Sequence, residues 1–258
     1  MRNEVINAKR LVVKIGSSLL VDSTDGEIRK DWLDSLGSDL ARFKARGQEI
    51  MIVSSGSIAL GRRKLDLLGT RSLRLQESQA SAAVGQIQLA HAYQNILGRH
   101  NLRIAQILLT LEDTEHRKRH LNARNTLDQL IHFGVVPVIN ENDTVATSEI
   151  RFGDNDRLAA RVAAMTSADC LILLSDIDGL YDCDPRQNPN AKHIDEVHEI
   201  TEDIKAMAGA APTDYSSGGM VTKLDAANIA MLAGCNMVIS DGKHIEPVSY
   251  THLTLPTT

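Results

Sequence analysis

Residues 133–156 read FGVVPVINENDTVATSEIRFGDND. The stretch opens on an apolar run, Val135 to Ile139, and turns abruptly polar at Asn140, Glu141, Asn142 and Asp143. A second polar knot follows at Gly153-Asp154-Asn155-Asp156, and a helical pattern starts there. A short apolar run bounded by turn residues is the pattern of a buried strand. In open α/β sheets, ligands bind outside the carboxyl ends of the strands. So many acid and amide side chains at one such end point to a small polar ligand with an amine to neutralise. Turn chemistry alone also favours Asn and Asp, through bonds from their side chains to the backbone.

Working outward, the same alternation covers nearly the whole chain. Strands are expected at Leu11–Ile15, Glu49–Val53, Arg103–Leu109, Leu171–Leu174 and Asn236–Ser240. Helices are expected at Asp31–Arg46, Leu75–Leu97, Leu121–His132, Asp156–Ser167 and Leu224–Leu232, the second interrupted at Gly85. Ile194–Ile200 reads as a short edge strand. Strands alternating with helices build βαβ units, hence a three-layer αβα sandwich around a mostly parallel sheet. The apolar strand runs fit burial on both faces.

Composition narrows the function. The chain has 258 residues, 43% hydrophobic and 24% charged, which suits a soluble globular domain. Aromatics are 3% and the net charge is −5, so neither stacking platforms nor a basic field favours nucleic acid. Three scattered cysteines, Cys170, Cys183 and Cys235, form no CxxC and read as free thiols of a reducing compartment. No apolar run reaches the roughly 18 residues of a membrane span, and the N-terminus lacks a signal-peptide core. A cytoplasmic protein is expected, without nucleic-acid or membrane partners.

Neither GxxxxGK[ST] nor a strand-linked GxGxxG is present, so P-loop and dinucleotide sites are not expected. Three small-residue turns remain: Gly16-Ser17-Ser18, Ser55-Gly56-Ser57 and Ser217-Gly218-Gly219. Each can offer backbone N–H groups to an anion. Lys14 lies inside an apolar run, where an unpaired ammonium costs desolvation. It is either an edge-strand lysine reaching solvent or a cation aimed at a phosphoryl group. Lys223, a turn into the helix after the glycine loop, is either solvated or aimed at the same phosphates. His116 and His120 stand i, i+4 in EHRKRH without a third ligand, and read as a solvated charged face.

The segments VVKIGSSLL, IVSSGSIALG, LNARNTL, VVPVINENDTVAT, FGDNDRLAA, LLSDIDGLYDCDPRQNP and SSGGMVTKLDAA occur in this order. In this order they resemble the amino acid kinase family, over residues 10 to about 247. The NENDTVAT and GDND pair is similar to the branch that phosphorylates the side-chain carboxylate of glutamate, the first step of proline biosynthesis. The resemblance implies the reaction ATP + L-glutamate → L-glutamyl 5-phosphate + ADP. Magnesium would be carried on the ATP phosphates rather than by a protein metal site. It implies Lys14, Lys223 and Asp156 as catalytic, with Asp156 ordering the lysines. Ser55, Asp143, Asn155 and Asp154 would bind substrate. Lys14, Ser175, Asp176 and the loop Ser217, Gly218, Gly219, Met220, Val221, Thr222 and Lys223 would bind ATP. Proline as a feedback inhibitor and a homo-oligomer, dimer or tetramer, are implied too. Rival readings are a kinase for acetylglutamate or aspartate, and a catalytically inert amino-acid sensor.

By the same resemblance, residues 1–247 form one kinase domain, its N-terminal part for glutamate and its C-terminal part for ATP. A C-terminal PUA domain is not expected. Residues 248–258, VSYTHLTLPTT, have no match and no convincing strand period, and are expected to be foreign to the domain or disordered.

Overall fold

The apolar runs become strands, and the computed structural model describes residues 2–69, 72–145, 155–185, 187–208, 219–244, 247–248 and 253–255. In chain order the strands are β1 (Arg10–Ile15), β2 (Glu49–Ser54), β3 (Ile104–Leu109), β4 (Val136–Glu141), β5 (Cys170–Ser175), β6 (Leu180–Tyr181), β7 (His193–Ile194), β8 (Asn236–Asp241) and β9 (Leu253–Leu255). The helices are α1 (Arg2–Asn7), α2 (Ser17–Leu20), α3 (Lys30–Ala45), α4 (Ser57–Lys64), α5 (Leu75–Arg99), α6 (Leu111–Glu115), α7 (Arg117–His132), α8 (Asn155–Thr166), α9 (Glu202–Met207) and α10 (Met220–Leu232). The main sheet runs β3-β4-β2-β1-β5-β8-β9. Its first six strands are parallel, and β9 is antiparallel to β8.

Alternation along β1 sorts the core into two layers. Leu11, Val13 and Ile15 face Leu33, Leu36, Leu40 and Phe43 of α3 and Leu89, Tyr93 and Leu97 of α5. Val12 points the other way, into a layer with Leu127 and Ile131 of α7, Leu158 and Val162 of α8, and the alanines of α10. The result is the expected αβα sandwich. In α3 the spacing of Leu33, Leu36, Leu40 and Phe43 makes one buried stripe, which is why that segment is a helix packed on a sheet. Pro137 has no N–H to give a ladder, and it falls one residue before the β2–β4 pairing begins at Ile52↔Val138.

Two close approaches fix the elements around the ligand edge. α8 and α10 pack together, and both bury small side chains in that layer, Ala159, Ala160 and Ala163 on one and Ala226, Ala227 and Ala230 on the other, all fully buried. Interaxial distance follows the side chains at the contact, so these helices sit close and their first turns converge. α4 and α5 cross through glycines. A Cβ at Gly85 would lie 1.8 Å from the Ser57 carbonyl oxygen, and one at Gly61 would lie 1.7 Å from that of Ser81. Gly85 therefore does not interrupt the helix, as the sequence suggests it should. α5 runs unbroken from Leu75 to Arg99, and the glycine serves close packing instead.

Two further expectations are corrected. The edge strand expected at Ile194–Ile200 is only His193–Ile194, paired with Leu180–Tyr181 in a separate two-stranded sheet. Its alternation could not show that its partner lies on a nearby loop. The tail is not without strand structure: Leu253–Leu255 pairs with Met237–Ile239, and Val248 is fully buried with its N–H donated to Asp39 Oδ2 at 2.7 Å. A lone short strand carries too little pattern to be seen until an open sheet edge offers it a ladder.

Candidate functional site

The carboxyl ends of the parallel strands line one edge of the sheet, and the polar residues singled out above gather there. β1 lies between β2 and β5, so Lys14 is on an interior strand, not the edge strand that would let it reach solvent. It shares the face of Val12, beneath α8. Its Nζ lies 2.6 Å from Asp156 Oδ1, and Lys223 Nζ lies 3.2 Å from Asp156 Oδ2. The three side chains are 9%, 0% and 6% exposed, so the cluster is almost dry. Two ammoniums thus converge on one carboxylate. The Thr222 hydroxyl stands 3.0 Å from Asp156 Oδ2 and 2.8 Å from the Gly219 carbonyl.

Burial alone would push the Asp156 carboxyl up, but the charges of Lys14 and then Lys223 outweigh it and hold it below the ordinary value. A depressed folded pKa contributes stability above the unfolded value, lost as pH falls through the folded one. The ion cluster thus persists through mild acid.

The second cluster lies beside the first. Asn155, next in sequence to Asp156, donates its Nδ2 to Ser55 Oγ at 2.6 Å and to Asn140 Oδ1 at 3.1 Å. Asn140 Oδ1 also accepts the main-chain N–H of Glu141 at 2.9 Å. That donor cannot be reversed by side-chain rotation, so it orients the amide. Asn140 Nδ2 then faces Gln86 Oε1 at 2.9 Å and Ser57 Oγ at 3.3 Å. With its oxygen engaged as acceptor, Ser57 donates to Asp143 Oδ2 at 3.1 Å. The turn between β2 and α4 is made by Gly56 at φ 113°, in the left-handed region.

This polarity decides what remains open. Asn155 Oδ1 is buried and has no hydrogen-bond partner among the described residues. Ser55, accepting from Asn155, keeps its proton to give away. An orphaned buried acceptor costs about 1–3 kcal/mol, so the site is poised for a ligand that donates there. Burial pushes the Asp143 carboxyl up, against the smaller opposing effect of the Ser57 hydroxyl. A raised folded pKa favours stability below the unfolded value, lost as pH rises through the folded one. Among the described residues, ionised Asp143 has no positive partner. A cationic ligand lowers its pKa again, so amine binding in mild acid releases a proton and weakens as pH falls. Asp143→Asn abolishes that limb of the pH dependence, as titration calorimetry in buffers of different ionisation enthalpy checks.

At the end of β5, Ser175 is 6% exposed, and its hydroxyl donates to Asp176 Oδ1 at 3.3 Å. The Asp176 carbonyl accepts from Lys243 Nζ at 2.9 Å. Gly219, Met220 and Val221 form the start of α10, whose N-terminal N–H groups suit an anion. Asp154, Ser217 and Gly218 lie outside the described residues. Of the expected site residues, Lys14, Asp156, Thr222 and Lys223 share one cluster, and Ser55, Asn155 and Asp143 the adjoining one. The sequence reading missed Gln86, and Ser57 entered it only as part of a turn. Gly85, stranded in a good helix-forming segment, marks the close packing beside Gln86. No group of three His, Cys, Asp or Glu that could hold a metal occurs among the described residues. No described helix is long and apolar enough to cross a membrane.

The chain is similar to glutamate 5-kinase of Paramagnetospirillum magneticum, 61% identical over 241 residues, covering 93% of this chain and 65% of that one. It is 58% identical to glutamate 5-kinase of a Bradyrhizobium species, covering 94% of this chain and 64% of that one. The chain thus spans about two thirds, 65% and 64%, of the length of these relatives. Its fold is that of T. acidophilum isopentenyl phosphate kinase, TM-score 0.63 at 16% identity over 95% of this chain and 99% of the other. UMP kinase of Bacillus anthracis superposes equally, TM-score 0.63 at 13% identity over 96% of both chains. A model of the amino acid kinase family matches residues 9–241, and the chain belongs to that family.

Proposed function

We propose that the chain transfers the γ-phosphoryl group of ATP to the side-chain carboxylate of L-glutamate, giving L-glutamyl 5-phosphate and ADP. The observation that carries this reading is the division of labour between neighbours. Asn155 turns into a cluster with one open acceptor and one free hydroxyl proton, and Asp156 into a cluster where two ammoniums converge. The first suits a zwitterion: Asn155 Oδ1 and Asp143 would take the ammonium, and the Ser55 hydroxyl a carboxylate. The second suits phosphate.

The nucleophile needs no general base, because a carboxylate is already ionised at neutral pH. Catalysis then consists of alignment and charge stabilisation. Lys14 and Lys223 would face the oxygens of the phosphoryl group in flight, where fixed, desolvated charges act most strongly. Asp156 would hold both lysines in place. The N-terminus of α10, with Ser175 and Asp176 at the next strand end, would receive the nucleotide. Magnesium fits as part of the nucleotide, since it dehydrates reluctantly and binds mainly through substrate phosphates. Bound there, it would neutralise phosphate charge. Proline inhibition and assembly into dimers or tetramers belong to the same proposal.

The test is hydroxamate formation from glutamate, ATP, magnesium and hydroxylamine by the purified chain. ADP release with glutamate, N-acetylglutamate, aspartate and UMP runs in parallel. Glutamate is expected to be preferred, since N-acetylation removes the ammonium that Asn155 and Asp143 are set to accept. Turnover of another acceptor at a higher kcat/KM, or calorimetric glutamate binding with no turnover, overturns the proposal.

A further inference from the structure

Gln86 touches neither cluster's open positions, yet it stands at the head of the amide relay. We infer that Gln86 is a positioning residue that sets recognition of the substrate's α-ammonium group through two successive side-chain amides; the inference rests on the glutamate reading above. Gln86 Oε1 accepts from Asn140 Nδ2 at 2.9 Å, the shorter of that nitrogen's two contacts. Asn140, 2% exposed, holds its Oδ1 toward Glu141 N–H and Asn155 Nδ2. With Ser55 Oγ and the Ser54 carbonyl, it helps to turn the Asn155 nitrogen inward and leave its oxygen, unpartnered among the described residues, for the ligand.

Each step is a matter of sign. With the Gln86 oxygen gone, Asn140 Nδ2 keeps only Ser57 Oγ at 3.3 Å, and the amide is held firmly on one side alone. The Glu141 N–H still orients the Asn140 oxygen, but the amide can draw away, and Asn155 Nδ2 then leans on Ser55 Oγ at 2.6 Å and the Ser54 carbonyl at 3.5 Å. The Asn155 oxygen is then placed less firmly for the ammonium. The phosphate cluster is untouched, because none of these bonds reaches Lys14, Asp156 or Lys223. The placement of Gln86 is itself controlled, since the preceding residue, Gly85, packs against the Ser57 carbonyl. The helix that carries the relay's first member is thus seated on the turn that carries Ser55 and Ser57.

The experiment is steady-state kinetics of the wild-type chain, Gln86→Met and Gln86→Glu. Substrates are glutamate and glutarate, which has the same carboxylates and no amine. Loss of one oriented polar contact is expected to raise the KM for glutamate about tenfold in Gln86→Met, with the KM for ATP unchanged and kcat altered less than about threefold. Gln86→Glu keeps an acceptor oxygen and restores the KM. The wild-type preference for glutamate over glutarate shrinks in Gln86→Met, which a general loosening of the fold would not produce. An unchanged KM for glutamate in Gln86→Met, or equal losses with both substrates, overturns the inference while the activity stands. A wild-type chain inactive with glutamate overturns the functional reading, and the inference with it.

Discussion

Lys14→Met is expected to lower the proposed glutamate-dependent ADP release by about 10³-fold or more, while its melting temperature stays near that of the wild type. The size of the kinetic effect follows from charge. The buried cluster holds Lys14 and Lys223 on a single carboxylate, Asp156, at 2.6 and 3.2 Å. Methionine removes one of the two ammoniums that would face the approaching phosphoryl group. Removing one preorganised donor from a developing anion costs about 10²–10³ in kcat, and a full charge in a dry site counts for more. The small thermal effect follows from what is left behind. Asp156 keeps Lys223 and Thr222, so no carboxylate is stranded. A buried lysine replaced by an apolar chain of similar length also avoids the desolvation of its ammonium. ADP release and differential scanning calorimetry on one preparation check both halves. Wild-type turnover removes Lys14 from the phosphate cluster, and a collapse in melting temperature makes its role structural.

Gly85→Ala is expected to lower the melting temperature by about 10 °C, on a scale of about 2–4 °C per kcal/mol for chains of this size. The added methyl would lie 1.8 Å from the Ser57 carbonyl oxygen. The obstacle is backbone, and no rotamer change relieves it. α4 and α5 have to part, undoing the matching contact of Gly61 with Ser81. Overpacking a filled contact costs about 1–3 kcal/mol, and separating two helices is at the upper end of that range or beyond. Alanine is otherwise the better helix former by about 1 kcal/mol, so a helix tolerant of the change would gain stability. The sign of the calorimetric shift therefore decides between the two. On the proposed activity, the KM for glutamate is also expected to rise below the melting range, because Ser57 and Gln86 are displaced together.

Most of the architecture was legible because strands buried on both faces are plain apolar runs. β1, β2, β4 and β5 fall within a residue or two of the positions expected from Leu11, Glu49, Val135 and Leu171. Lys14 and Asp156 were legible for the opposite reason: a charge within an apolar run, or a knot of acids at its end, needs an explanation. What could not be read were the long-range pairings. Nothing near Gly85 in the sequence reveals the Ser57 carbonyl 28 positions before it, and Gln86 is one of several glutamines in an Ala- and Leu-rich helix. The tail strand and the β6–β7 pair likewise depend on partners that periodicity cannot identify.

The junction of Asn155 and Asp156 at the start of α8 has a mechanical consequence. The two residues belong to different clusters, but one peptide unit joins them, so their Cα atoms stand about 3.8 Å apart whatever the loops around them do. The helix end acts as a gauge block between the two halves of the site. Loops can reshape either pocket, and so retune acceptor or donor, without changing the span across which a group must pass.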